Sequence, residues 1–85
     1  MESVTELDQR AYALYQQGDY AEALPLMFRV LEINEKVLGL DHREIAENLD
    51  GLAIMFDRLG QYGKALPLYQ RALAIREKVL RPGAC

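Results

Sequence analysis

Apolar residues recur along two segments of the chain at the spacing of an amphipathic helix. In the first segment they fall on one side of a helix, at Val4, Leu7, Ala11 and Leu14. A second stripe of the same kind comprises Ile45, Leu49, Leu52, Phe56 and Leu59. The pattern predicts a helix at each place, and the apolar segments that follow each stripe predict two further helices.

Three glycines mark where these helices are expected to end. Gly18, Gly39 and Gly60 each follow an apolar segment, and glycine closes a helix by adopting the left-handed conformation. The fourth helix is expected to run from about Tyr62 to Leu80 and to stop at the proline and glycine of positions 82 and 83.

The predicted helix starts carry capping residues. Each combines a side chain that can accept a hydrogen bond with a glutamate three residues later, which is the pattern of a capping box. The three pairs are Ser3 with Glu6, Asp19 with Glu22, and Asp41 with Glu44. The fold class is therefore predicted to be all-α, with four antiparallel helices.

The chain contains one unit twice. Between positions 18 and 38, 13 of the 21 residues are identical to the residue 42 positions later. The period predicts two tandem helix-turn-helix repeats, at about 3–40 and 41–81, in a single domain of residues 1–85 with a tail at 82–85. Both copies place a proline six residues into a helix, Pro25 and Pro67, where we expect a tolerated bend.

The second and fourth helices are apolar on more than one face. The fourth carries Leu66, Leu73 and Leu80 on one side and a second apolar group on another. A helix of this kind is expected to be covered on more than one side, as in a stacked array of repeats. Two repeats alone are expected to form only a marginally stable monomer.

The segments GDYAEALPLMFRVLEI and GQYGKALPLYQRALAI resemble the G-x-Y-x-x-A signature of the tetratricopeptide repeat. The 42-residue period and the segment EKVLGLDH resemble the long variant of kinesin light chains. The resemblance implies helix pairs stacked as a short α-solenoid, in which the first helix of each pair lines a concave groove. It also implies a non-catalytic module that binds a peptide or protein segment, and a structural role for His42 in the turn between repeats.

The same resemblance implies which side chains face the groove. The candidate peptide-binding residues are Asp8, Tyr12, Tyr15, Glu47, Asp50, Ile54, Asp57 and Arg58. Carboxylates predominate among them, so the hypothesis is a preference for basic or neutral segments over acidic ones. Co-chaperone members of the family hold a C-terminal carboxylate with lysines and asparagines, and the matching positions here carry Asp8, Tyr12, Glu47 and Gly51. An acidic, merely solvated face is the alternative interpretation.

A second hypothesis for function is a self-assembling building block whose main partner is another copy of itself. The candidate self-association residues are Leu66, Leu73 and Leu80, and the expected product is a homodimer. Residues 1–42 carry a net charge of −5 and residues 43–85 a net charge of +2, which favours head-to-tail contact. A closed dimer is nevertheless the expected product, because a two-fold contact stops at two chains whereas open stacking would threaten solubility. A swap of helix pairs at the turn of Gly39 and Leu40 is a third route.

Composition argues against several other functions. The chain has one serine, one threonine, one histidine and one cysteine, Cys85, so we expect no enzyme activity, no metal site and no cofactor. A net charge of −3 gives no reason to expect a nucleic-acid partner. The acidic start lacks the apolar core of a signal peptide, and no segment is apolar enough to enter a membrane, so a cytoplasmic location is expected.

Overall fold

Four helices account for most of residues 3–80, which are the residues that the computed structural model describes. They are α1 (Val4–Gln16), α2 (Tyr20–Leu38), α3 (Arg43–Arg58) and α4 (Tyr62–Leu80). Consecutive helices pack against one another along the whole series, which confirms the all-α solenoid arrangement. The stop predicted at 82–83, the tail with Cys85 and the side chain of Leu80 lie outside the described residues.

The three glycines end helices as predicted. Gly18, Gly39 and Gly60 have φ angles of +83°, +87° and +78°, a region that favours glycine because it has no Cβ. These positions turn the chain back on itself and set up the antiparallel helix pairs.

The capping box at the start of α1 is present. Ser3 Oγ accepts a hydrogen bond from the Glu6 amide at 3.1 Å, and Glu6 Oε1 accepts one from the Ser3 amide at 3.2 Å. The predicted box at Asp19 is wrong, because Asp19 precedes α2 but its side chain makes no capping hydrogen bond.

The predicted box at Asp41 is also wrong, by one position. His42 is the residue that caps α3, and its Nδ1 accepts a hydrogen bond from the Glu44 amide at 3.0 Å. Asp41 instead accepts a hydrogen bond from Lys78 Nζ at 3.0 Å, which joins the turn between the repeats to α4. His42 therefore has a structural part in this turn.

The core is centred on α3, which packs against both α2 and α4. The largest fully buried side chains come from three helices and are Leu7, Val30, Ile45, Leu49 and Leu52. Each repeat alone would leave one side of its helix pair uncovered, so burial of this set depends on the two repeats packing together.

Both prolines lie inside continuous helices. Pro25 and Pro67 are exposed, and α2 and α4 extend on either side of them without a break. Each proline is the sixth residue of its helix and removes one hydrogen bond to the carbonyl four residues earlier, in an exposed second turn where water can replace the missing donor. The duplicated proline is thus tolerated because it lies on the solvent side of its helix.

Polar contacts also join the repeats. Asn34 is 8% exposed, and its Nδ2 donates a hydrogen bond to Asn48 Oδ1 at 2.8 Å. Nearby, Arg71 of α4 forms an ion pair with Glu35 of α2. This amide pair favours one register between α2 and α3, because a slip would leave the buried amide of Asn34 without this partner.

Candidate binding groove

A cavity of about 280 Å³ is lined by α1, α2 and α3, and we refer to it as the α1–α3 cavity. Its lining comes from three helices and comprises Asp8, Tyr12, Tyr15, Met27, Gly51, Ile54 and Met55. Four of the eight residues proposed from the sequence as groove positions are in this set, namely Asp8, Tyr12, Tyr15 and Ile54. The fold therefore brings side chains from both repeats to one recess.

Two stacked tyrosines form one wall of the cavity. The rings of Tyr12 and Tyr15 have centroids 6.4 Å apart and planes inclined by 11°. Tyr15 is held from behind by the ring of Tyr20, which meets it edge-on at 5.4 Å. Tyr12 is 60% exposed, so its ring presents an aromatic surface to solvent beside the opening.

Gly51 keeps the opposite side of the cavity open. A Cβ atom added at this position would lie 4.0 Å from Met27 Cε, which is ordinary van der Waals contact. Alanine would therefore fit here, whereas a larger side chain would project into the cavity. The missing side chain is what makes room between α1 and α3.

The two buried methionines were not among the site residues proposed from the sequence. Met27 and Met55 are 8% and 2% exposed and form the inner surface of the cavity. Sequence reasoning treats such positions as core, and Met27 belongs to the second helix of its pair. The only signal that favours a recess here is Gly51, a small residue inside an apolar helix.

The acidic residues Asp50 and Asp57 do not line the cavity, because α4 engages both. Arg76 Nη2 lies 2.6 Å from Asp50 Oδ2, and the Tyr69 hydroxyl donates a hydrogen bond to Asp57 Oδ2 at 3.2 Å. The hydrogen bond to Asp50 raises the pKa of Arg76 above its ordinary value. Arg76 therefore compensates the charge of Asp50, while Asp57 keeps its charge but already has a hydrogen-bond donor within repeat 2.

Burial raises the pKa of Tyr69, and the charge of Asp57 and the hydrogen bond to it add to the effect. The neutral hydroxyl is the form that can donate to the carboxylate. At neutral pH the Tyr69 hydroxyl is therefore protonated and donates to Asp57, so Asp57 already has a partner within the chain.

The remaining two predicted residues lie away from the cavity. Glu47 is exposed, and its carboxylate is 3.8 Å from Arg43 one turn earlier. Arg58 is exposed in the last turn of α3. The exposed pair of Glu47 and Arg43 contributes little to stability. Glu47 and Arg58 can therefore both rearrange toward a partner.

The few residues capable of nucleophilic or metal chemistry have structural roles or lie apart. Ser3 and His42 cap α1 and α3. Within residues 3–80, no three histidine, cysteine, aspartate or glutamate side chains lie close enough together to hold a metal ion. Over the same residues, none of the helices has both the length and the hydropathy needed to cross a membrane.

Comparison with known families decides the classification. A family model described as tetratricopeptide repeat matches residues 3–78, which span both helix pairs. The chain belongs to the tetratricopeptide repeat family. A search of curated proteins found no match to it. Tetratricopeptide repeats are in general non-catalytic modules that bind proteins or peptides.

Proposed function

We propose that this protein is a non-catalytic interaction module that binds an extended peptide segment along the concave surface formed by α1 and α3. The observation that carries the proposal is the α1–α3 cavity, which combines stacked tyrosines, an open glycine position and buried methionines. Such a recess suits one apolar side chain of the partner, held among apolar walls. Membership of the tetratricopeptide repeat family supports a protein or peptide as the partner.

The carboxylate at the cavity sets the expected preference for neighbouring residues of the peptide. Asp8 lines the cavity and is exposed, whereas Asp50 and Asp57 are already engaged by α4. A segment that carries an apolar anchor next to a lysine or arginine fits this arrangement. Asp8 accordingly contributes most of the selectivity against acidic peptides, and selectivity is where such charges act most strongly.

The test is a peptide library screened against the full chain, followed by two matched glycine variants. Gly51→Leu is expected to abolish binding, because the new side chain fills the cavity. Gly63→Leu is the control, since Gly63 lies in α4 with nothing within 4 Å of an added Cβ. The gain in helix propensity is about 1 kcal/mol for Gly51, in the middle of α3, and smaller for Gly63, in the first turn of α4, so neither change is expected to weaken its helix. Circular dichroism checks that both variants keep their helices, and a difference in binding between them then reports on the cavity.

Charge selectivity is tested separately with Asp8→Asn, which is expected to reduce the preference for basic over acidic peptides. Enrichment of acidic peptides by the parent chain would contradict the proposed selectivity. Equal binding by the parent and the Gly51→Leu variant would contradict the proposed site.

We also propose a subtype of the repeat and a cellular location for the protein. The 42-residue spacing and the turn of Asp41 and His42 support the long, kinesin-light-chain-like variant of the repeat. His42 caps α3 in that turn, which gives the residue pair a structural reason to recur in such repeats. A cytoplasmic location accompanies the proposal, since a single cysteine provides no intrachain disulfide.

Self-association is a second candidate function, and the surface of α4 favours it. Leu66 and Leu73 are 57% and 59% exposed on one side of this helix. Exposed apolar residues that share a face are typical of an interaction surface. We propose that copies of the chain associate through this face, at least as far as a homodimer. A constant monomer mass at every protein concentration in sedimentation velocity would refute this candidate and leave peptide binding untouched.

A further inference from the structure

The contacts between the two repeats can be compared, position by position, with the residues at the two ends of the molecule. In repeat 1, Leu31 of α2 is 7% exposed, because repeat 2 packs over it. Its counterpart 42 positions later, Leu73, has no such cover. We define the outer face of α4 as Leu66, Tyr69, Leu73 and Arg76, whose counterparts in α2 lie at the internal junction: Leu24, Met27, Leu31 and Asn34.

The opposite end of the molecule carries an open cleft of about 710 Å³ between α1 and α2. We call it the α1–α2 cleft, and its lining comprises Arg10, Ala13, Leu14, Ala21, Glu22, Pro25 and Leu26. Leu14 is the counterpart of Phe56, which packs edge-on against Phe28 of α2 at 6.2 Å in the internal junction. In the internal junction, α2 packs against repeat 2, which consists of α3 and α4. The α1–α2 cleft is the equivalent surface of repeat 1.

A copy stacked in the register of the internal junction meets complementary charge. Inside the chain, the junction is closed by the hydrogen bond from Asn34 to Asn48 at 2.8 Å. The residues 42 positions away are Arg76 in α4 and Glu6 in α1. Between copies, a neutral amide pair would be replaced by a cation near a carboxylate. Both groups also have partners in their own chain, because Arg76 pairs with Asp50 and Glu6 accepts a hydrogen bond from the Ser3 amide.

The second polar contact of the internal junction is reproduced with its signs preserved. Glu35 of α2 forms an ion pair with Arg71 of α4. Their counterparts are Glu77 of one copy and Arg29 of the next, and both side chains are exposed in the isolated chain. Two positions thus carry opposite charges across the stacked register. Arg76 and Glu6 follow the net charges of the two repeats, whereas Glu77 and Arg29 run against them, so the complementarity is a property of the register and not of net charge alone.

We infer that the outer face of α4 docks into the α1–α2 cleft of a second copy, head to tail. The inference rests on the self-association proposed above and specifies its geometry. A two-fold contact between two α4 helices would leave the cleft empty and give Arg29 no part in the interface. The head-to-tail contact is heterologous, so it continues the solenoid and leaves one free face at each end.

Stacking also places the concave surface of repeat 2 beside α1 of the next copy. Asp50, Ile54, Asp57 and Tyr69 are the repeat 2 counterparts of four residues that line the α1–α3 cavity, namely Asp8, Tyr12, Tyr15 and Met27. The residue of α1 equivalent to Gly51 is Gln9, so this surface lacks the open glycine position of the α1–α3 cavity. A concave surface longer than one chain follows from the same contact.

Two variants, each blocked at one end, test this geometry with the full chain. Leu73→Glu places a charge on the outer face of α4, and Ala13→Arg fills the α1–α2 cleft, while each leaves the other end intact. Sedimentation velocity is expected to show the parent growing with concentration and each variant as a monomer. A mixture of the two variants in equal amounts is expected to form a species with the mass of two chains, because each retains the end that the other lacks.

The alternatives give different results. An Ala13→Arg chain that still dimerises by itself would establish a two-fold contact and overturn the inference, although self-association would stand. A parent chain that remains monomeric would overturn both. Two monomeric variants that fail to form the mixed dimer would overturn the head-to-tail geometry.

A charge exchange on exposed residues guards against variants that fail to fold. Arg29→Glu and Glu77→Arg are each expected to weaken association, and the double variant is expected to recover it because the pair is restored with reversed signs. Circular dichroism checks that each variant keeps its helices. Association that is unchanged in Arg29→Glu would count against the head-to-tail contact.

Discussion

The two repeats place the same leucine in opposite environments. Leu31 is buried beneath repeat 2, whereas Leu73 in the equivalent position of α4 faces solvent. The sequence at these positions is identical, and so is the local helix, so the difference comes only from what packs on top. The comparison shows that an apolar position in a repeat protein is a position for contact with the next unit, and burial depends on whether that unit is present.

The repeats also differ at two positions beside this leucine. Met27 and Asn34 in α2 are buried against α3, but their counterparts Tyr69 and Arg76 in α4 carry longer side chains with polar ends. Both reach back to carboxylates of their own repeat. Repeat 2 therefore satisfies its polar groups internally while its two leucines remain available for a partner.

The largest effect is expected from a matched pair of leucine truncations. Leu31→Ala should cost about 2–5 kcal/mol, because it removes buried methyl groups and leaves a cavity. This is comparable with the roughly 3–5 kcal/mol that a core of this size supplies, so the variant is expected to unfold in large part. Leu73→Ala should change stability by less than about 0.5 kcal/mol in dilute solution, since the side chain is exposed there.

Urea unfolding at low protein concentration measures both variants. The midpoint should fall sharply for Leu31→Ala and remain near that of the parent for Leu73→Ala. Equal losses in the two variants would contradict the contrast between the repeats. A loss for Leu73→Ala that appears only at high protein concentration would support burial of this leucine by a second copy.

A smaller effect distinguishes the helix starts of repeat 1. Ser3→Ala should cost about 1 kcal/mol, because the Ser3 hydroxyl accepts the Glu6 amide in a complete capping box. Asp19→Ala should cost much less, since the Asp19 side chain makes no capping hydrogen bond. Thermal unfolding of both variants under one set of conditions is the measurement, and a greater loss for Asp19→Ala would contradict the assignment of the caps.

The caps also illustrate how far the sequence could predict this fold. The glycines at 18, 39 and 60 were predictable, because a positive φ is a local requirement that few other residues meet. The start of α3 was not, because Asp41 and His42 can both accept a hydrogen bond and the local sequence does not distinguish them. His42 is the cap, and Asp41 instead accepts a hydrogen bond from Lys78 of α4.

The candidate site, like the helix caps, was predictable from the sequence only in part. The resemblance to the tetratricopeptide repeat groups Asp8, Tyr12, Tyr15 and Ile54, and these four side chains line one cavity. The same resemblance groups Asp50 and Asp57 with them, but both are engaged from α4 by Arg76 and Tyr69. Those two residues lie at positions where the repeats differ, so a rule derived from repeat equivalence could not predict their contacts.

The smallest expected effect is a pH dependence confined to repeat 2. Burial and the neighbouring Asp57 raise the pKa of Tyr69 in the folded chain above its unfolded value of about 10. Below pH 10 the hydroxyl is protonated in both states, so its contribution to stability is fully present. As the pH rises through the folded pKa, the unfolded chain has already released this proton and the contribution is lost.

Met27, the counterpart of Tyr69, has no ionisable group, so repeat 1 carries no matching effect at this position. Tyr69→Phe should therefore reduce the decline in stability above about pH 10, whereas Tyr12→Phe, at an exposed ring, serves as the control. Urea unfolding at a series of alkaline pH values gives the change in unfolding free energy with pH for each chain. Identical declines in the parent and Tyr69→Phe would contradict a stabilising Tyr69–Asp57 hydrogen bond in repeat 2.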